Sequence, residues 1–310
     1  MFQRNIPLSS YSNIKIGGPA SYFAEFKSNE ELKDFLSAWQ EINPEMDKIF
    51  ILGDGTNILF NDEGYDGLVL KDSLEFIKNE GEKIVVGSGT KFSKLLDYAI
   101  ENSLSGCEWA GGLPGTIGGA IRGNAGAYGG ETKDCLTEAE SIDMLSQQVK
   151  IRTKDECRFG YRESIFKSGG VKEVIVSGTF ALRNETKEKI EEQINEKKKH
   201  RELKHPLEFP NLGSTFKNVT LDEVPNDVRE KYKDSIKSDP FPIFPSTKLL
   251  AEAGLAGKSI GGAKFSEKHP NFIVNFDNAK AKDVLDLIDF AKKAVFDKFN
   301  IALVEEILLA

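Results

Sequence analysis

The apolar positions of this chain change period several times, and each change marks a different kind of element. Leu32, Phe35, Leu36 and Trp39 recur at helical spacing and predict a helix with one buried face. KIFIL (48–52) and GLVLK (67–71) are short apolar runs flanking GDGTN and read as strands, so the start of the chain predicts a small α/β unit. IVVG (84–87) predicts another strand, and Phe92, Leu95, Leu96, Ala99 and Ile100 share one face of a helix expected to end near Gly106. From about Leu136 to Arg183 the pattern alternates in short stretches, SIDML, QVKIR and EVIVSGTFALR, as strands do. Asn184 to Lys204 is instead a charged, helix-prone run that reads as a solvated helix bridging two domains. Beyond it come a proline-rich loop DPFPIFP, a helix at TKLLAEAG, a strand FIVNF, and a helix with Val284, Ile288, Ala291, Val295 and Phe299 on one stripe. The closing IALVEEILLA reads as a strand or a helix end.

One segment follows none of these periods. GGLPGTIGGAIRGNAGAYGGE, from Gly111 to Glu131, holds nine of the chain's 28 glycines. A flexible linker would be rich in Ser and charge, whereas this stretch carries Leu113, Ile117, Ala120, Ile121 and Tyr128. Such backbone accepts positive φ and lets a ligand come close, which suits an anion held by main-chain N–H groups. It contains no GxGxxG, and Pro114 blocks the strand-to-helix turn of that fingerprint, so any dinucleotide here is bound by a fold other than Rossmann. GDGTN, with two glycines, a hydroxyl and an amide after an apolar strand, fits a phosphate loop and equally a simple turn.

Length and composition narrow the choice further. At 310 residues the chain exceeds what one hydrophobic core serves, and two or three domains are expected. A net charge of -8 disfavours a nucleic-acid surface, although a local basic patch can still hold an anionic substrate. The N-terminal MFQRNIPLSSYSN has no apolar core of a signal peptide and no apolar run approaches a membrane span, so a cytoplasmic protein with no membrane partner is expected. Cys107, Cys135 and Cys157 are odd in number and widely spaced, which suggests buried thiols rather than a disulfide framework or a zinc site. His200, His205 and His269 lack ligand spacing, so no protein-bound metal is expected, and redox chemistry would need an organic cofactor.

Three further local signals carry chemistry. FGYRESIF sets Arg162 among aromatic and apolar neighbours, where it is either an exposed strand residue or a cation awaiting an anion. In NLGSTFKN, Ser214 follows Gly213, but the second glycine of a hydrolase elbow is missing, and a turn serine is the simpler reading. Glu305 and Glu306 lie in an apolar run where a buried carboxylate needs a partner.

NIKIGGPA, LGDGTNILF, GLPGTIGGAIRGNAGAYGGE, FGYRESIFK, LGSTFKN and KHPNFIVNFDNAKAKDV follow one another between about Asn13 and Glu306. In that order they closely resemble the UDP-N-acetylenolpyruvoylglucosamine reductases, FAD enzymes of peptidoglycan synthesis. The resemblance implies an α+β fold: a two-subdomain FAD-binding fold of the PCMH, or vanillyl-alcohol-oxidase-like, type with a C-terminal α+β substrate-binding domain. The expected divisions are 1–70, joined by 300–310, for the first flavin subdomain, 71–186 for the second, and 187–299 for the substrate domain with its linking helix.

By the same resemblance, Gly53, Asp54, Gly55, Thr56, Asn57, Pro114, Gly115, Thr116, Gly118, Gly119, Asn124 and Gly126 are expected around FAD. NADPH is the implied hydride donor and a UDP-sugar the substrate, bound by Lys204 and Asn218. Arg162, Ser214 and Glu306 match the family's catalytic residues: an arginine that stabilises the enolate-like intermediate, a serine that protonates it, and an assisting carboxylate. A monomer is expected. The chain departs from the family in having LVEEI for LEPEV, which puts Val304 at the first Glu, and Phe276 where some members carry a substrate-contacting Glu. By the resemblance it is also too short for the tyrosine-bearing insert of some members. A flavin oxidase or dehydrogenase of the same fold acting on another sugar or alcohol is the competing reading, as is a non-catalytic nucleotide-binding protein.

Overall fold

Residues 1–81, 83–238 and 241–310 are described by the computed structural model, so Asp239 and Pro240, which open DPFPIFP, lie outside the described residues. The stripe at Leu32, Leu36 and Trp39 becomes the buried face of the helix Asn29–Ile42. Ser28 caps it by accepting from the Glu31 N–H at 3.1 Å, while the Glu31 carboxylate accepts from the Lys27 N–H at 2.7 Å. KIFIL and GLVLK form the parallel strands Ile49–Leu52 and Tyr65–Asp72, with Ile49 beside Leu68.

The chain divides into two compact units. The first comprises Met1–Ile6, Ala20–Asp54 and Asp66–His200. It holds a five-stranded antiparallel sheet in the order Val149–Thr153, Leu136–Asp143, Glu173–Ala181, Lys83–Gly87, Ile77–Glu80. Two separate cores form within this unit. One gathers Phe26, Leu32, Leu36, Trp39, Leu68 and Leu70, and the other gathers Phe92, Leu95, Ile117, Ile121, Leu136 and Phe180.

The helix predicted to reach Gly106 spans Phe92–Glu101 and stops sooner. Its apolar period runs to Ile100, but the Asn102 side chain donates to the Tyr98 carbonyl at 2.9 Å and Ser103 turns left-handed at φ 57°. The chain is thereby released into the strand Leu104–Ser105, which pairs with Arg183–Asn184. The charged run forms the helix Lys187–Lys204, in which Ile190 and Ile194 are the buried apolar contacts of an otherwise polar surface.

The second unit comprises Pro7–Pro19, Gly55–Tyr65 and Arg201–Ala310. Its four-stranded antiparallel sheet runs Asn211–Ser214, Phe272–Asn275, Ala263–Phe265, Ser259–Ile260. The helix Ala281–Phe299 buries the whole predicted stripe, Val284, Ile288, Ala291, Val295 and Phe299, and ends at left-handed Asn300. The C-terminal segment yields the strand Leu308–Leu309, parallel to Ile58–Leu59. Ile14, Ile16 and Leu59 from the two short segments join Phe216, Phe244, Phe265 and Leu287 in one core.

Candidate functional site

In the first unit the glycine-rich segment folds into a short helix, Ile117–Gly123, capped by Thr116, whose hydroxyl accepts from the Gly119 N–H at 3.4 Å. The N–H groups expected to grip an anion are partly used within the protein. Ile117 donates to the Thr90 carbonyl at 2.9 Å and Gly118 to the Ser88 carbonyl at 2.8 Å, which fastens the loop to its neighbours. GDGTN reaches this loop at Gly53, where a Cβ would lie 2.7 Å from the Thr116 hydroxyl, so only glycine allows the two loops to meet. Asp54 carries an ion-pairing partner in Lys71 at 3.9 Å.

Asn124 ends the helix with φ 41° and is fully buried. Its amide nitrogen donates to the Gly160 carbonyl at 2.9 Å and to the Glu131 carboxylate at 3.2 Å, and its oxygen accepts from the Lys133 N–H at 3.1 Å. The Asn124 side chain therefore organises the protein around the loop. Arg162 occupies the second position of a two-residue turn closed by paired hydrogen bonds between Gly160 and Glu163, of 3.0 and 3.2 Å. With φ 57° it holds a conformation that costs an ordinary L-residue of order 1 kcal/mol. Its guanidinium donates to the Gly126 carbonyl at 2.8 Å and lies 5.2 Å from the Tyr161 ring centre. Lys167 donates to the Arg162 carbonyl at 2.7 Å.

In the second unit the structure brings Ser214, Asn57 and Glu306 into one neighbourhood. Ser214 ends the strand Asn211–Ser214 after Gly213, which has φ 78° and breaks the register against Phe272–Asn275. The chain beyond it pairs antiparallel with the C-terminal segment: Glu306 donates to the Thr215 carbonyl at 2.8 Å, Phe216 bridges Glu305, and Lys217 donates to the Val304 carbonyl at 2.9 Å. The Val304 side chain is exposed, so this register is held by backbone hydrogen bonds. The Asn57 amide donates to the Glu306 carbonyl at 3.1 Å, tying the end of GDGTN to the C-terminal segment. Glu305 is ion-paired with Lys292.

Gly55, with φ 63°, leaves room for the Tyr11 carbonyl, which would sit 1.9 Å from a Cβ. Asn218 accepts from the Ser246 N–H at 3.2 Å, and Lys204 is exposed at the end of its helix. Phe276 is partly exposed with the Lys264 ammonium 5.2 Å from its ring centre.

Three features escape the sequence. Asp72 is buried beneath the glycine-rich helix, 3.4 Å from where a Gly118 Cβ would be, and burial raises its carboxyl to about 6. Glu131, at the end of the glycine-rich run, is buried with Lys133 2.6 Å away. Cys107 and Cys135 bring their sulfurs within 3.2 Å of each other, although 28 positions separate them. All three cysteines are buried, as their pattern suggested. No described helix is long and apolar enough to cross a membrane.

Comparison with known proteins accounts for both units. Residues 20–152 match a family of FAD binding domains, and residues 205–310 match the UDP-N-acetylenolpyruvoylglucosamine reductase, C-terminal domain. A UDP-N-acetylenolpyruvoylglucosamine reductase of Lactobacillus delbrueckii subsp. bulgaricus is 39% identical over 306 residues, covering 98% of this chain and 94% of that protein. One from Caldanaerobacter subterraneus subsp. tengcongensis is 37% identical over 98% of this chain and 91% of its own length. The crystal structure of the Thermus caldophilus reductase superposes with a TM-score of 0.76 at 28% identity, covering 100% of this chain and 99% of that one. The fold is thus the FAD-binding type with a C-terminal domain that the motifs implied. With a flavin domain and a reductase-specific domain in one chain, and relatives matching almost end to end, the chain belongs to the UDP-N-acetylenolpyruvoylglucosamine reductase family.

Proposed function

We propose that the chain reduces the enolpyruvyl group of UDP-N-acetyl-3-O-(1-carboxyvinyl)glucosamine to give UDP-N-acetylmuramate, a peptidoglycan precursor, with FAD as cofactor and NADPH as hydride donor. The observation that carries this reading is the near end-to-end kinship with reductases of that name. The meeting of GDGTN with the glycine-rich loop at Gly53 and Thr116 fits a flavin, because the side chains that would fill this approach are absent. Bound there, FAD would accept hydride from NADPH and deliver it to the enolpyruvyl Cβ.

Gly53, Asp54, Gly55, Thr56 and Asn57 would hold FAD from one loop, and Pro114, Gly115, Thr116, Gly118, Gly119 and Gly126 from the other. Asn124 would contribute by shaping that second loop. Hydride at Cβ drives negative charge onto the substrate carboxylate, which Arg162 stabilises as a preorganised cation. Ser214 donates its hydroxyl proton to Cα to complete the lactyl ether, with Glu306 assisting. The backbone pairing that sets Glu306 beside Thr215, the neighbour of Ser214, supports this division of labour. Lys204 supplies a cation and Asn218 an amide to the UDP-sugar.

Ser214→Ala separates the two halves of the reaction. NADPH should still bleach the flavin of the variant at close to the parent rate, while UDP-N-acetylmuramate formation falls by about 100-fold or more. Loss of both halves together would refute the proton-donor assignment. A parent enzyme that oxidises NADPH only with oxygen would refute the reductase reading in favour of an oxidase.

A further inference from the structure

Arg162 has a left-handed backbone, and such backbone strain persists only where the surroundings fix it. Two carbonyls define its place. The guanidinium donates to Gly126, and the base of its turn is held at Gly160 by the Asn124 amide. Both lead to Glu131. The short ribbon of Gly126–Ala127 and Gly130–Glu131 sets Glu131 directly opposite Gly126, and the Asn124 amide that reaches Gly160 also donates to the Glu131 Oε2. A Cβ on Gly126 would lie 2.7 Å from the Glu131 Cγ and 3.2 Å from the Arg162 Nη1, so the two side chains flank the same backbone atom.

Glu131 is an expensive residue to keep there. It is 3% exposed; Lys133 and Asn124 satisfy Oε2, while Oε1 is buried with no hydrogen-bond partner among the described residues. A buried carboxylate adds nothing to stability that a well-packed apolar side chain would not, but it fixes the direction of a nearby cation and of the amide bonded to it. We infer that Glu131 is the positioning residue for Arg162, acting through Gly126 and Asn124 to hold the guanidinium where charge develops on the substrate. This rests on the proposed reductase function, in which Arg162 is needed for transfer to substrate and not for reduction of the flavin.

The test is stopped-flow measurement of the two half-reactions in FAD-loaded parent, Glu131→Gln, Arg162→Ala and the double variant. Glu131→Gln should retain FAD and bleach with NADPH within about twofold of parent, yet slow reoxidation by the enolpyruvyl sugar by about 10- to 100-fold, as a misplaced catalytic group does. Added to Arg162→Ala, it should slow that step no further. Glu131→Asp, which keeps the charge but shortens the reach to Lys133 and Asn124, should show the same split should Glu131→Gln fold poorly. Equal losses in both half-reactions, or losses that multiply in the double variant, would overturn the role of Glu131. A parent that bleaches but never passes hydride to the enolpyruvyl sugar would instead overturn the functional reading.

Discussion

Replacing Asp72 by Asn should stabilise the protein at pH 8 and leave it unchanged at pH 4. Asp72 ends the strand Tyr65–Asp72, is 3% exposed, and accepts the Leu74 N–H at 3.0 Å, a bond that an Asn oxygen preserves. Burial outweighs the nearby Ser88 hydroxyl, the Leu74 N–H and Lys71, and lifts the carboxyl from 3.8 to about 6. A native pKa above the unfolded one means that the folded state binds the extra proton between these values, so stability falls as pH rises from about 4 to about 6. A shift of roughly two units corresponds to about 3 kcal/mol of penalty for the ionised group at pH 8, and this is what the amide removes. For a unit of this size that is about 6–12 °C in the thermal midpoint. Calorimetry of both proteins at pH 4, 6 and 8 checks it. A gain that is equal at all three pH values, or a loss at pH 8, would show that Asp72 is held ionised by a favourable partner and refute the reasoning.

Other expectations follow from single contacts. Gly55→Ala places a Cβ against the Tyr11 carbonyl in a left-handed position, and should cost about 2 kcal/mol or more and lower the FAD content measured by absorbance. Arg162→Gly relieves a positive φ while removing the stabilising cation, so turnover should fall by about 100-fold or more with the thermal midpoint lowered by no more than about 2 °C. The thiol hydrogen bond to Cys135, with burial, raises Cys107, and burial raises Cys157 to about 11. Ellman's reagent at pH 8 should therefore label no cysteine in the native protein and three after denaturation, and rapid native labelling would contradict the buried pair.

The parts of the fold that were legible are those whose side chains repeat. The stripes on Asn29–Ile42 and Ala281–Phe299 and the runs KIFIL and EVIVSGTFALR each report a buried face directly. Where a helix stops is set by one or two residues, and Asn102 with Ser103 ends the helix Phe92–Glu101 before Gly106. Motifs located the loops, but not how their donors are used: the amide of Asn124 and the N–H groups of Ile117 and Gly118 turn toward protein carbonyls. Glu131 and Asp72 were invisible because their meaning depends on burial among residues distant in sequence.

The second unit is stitched from three separate stretches, and that arrangement orders events during synthesis. All segments of the first unit have been made once His200 leaves the ribosome, whereas Pro7–Pro19 and Gly55–Tyr65 wait for partners in Arg201–Ala310. At roughly 5–20 residues per second, Ile14, Ile16 and Leu59 stay without their core for about 5–20 s after that point. GDGTN is cut by the same boundary, between Asp54 and Gly55, and Asn57 meets the Glu306 carbonyl only when the far end of the chain arrives. The nascent protein therefore carries two apolar loops open to chaperones, and GDGTN is completed among the final steps of folding.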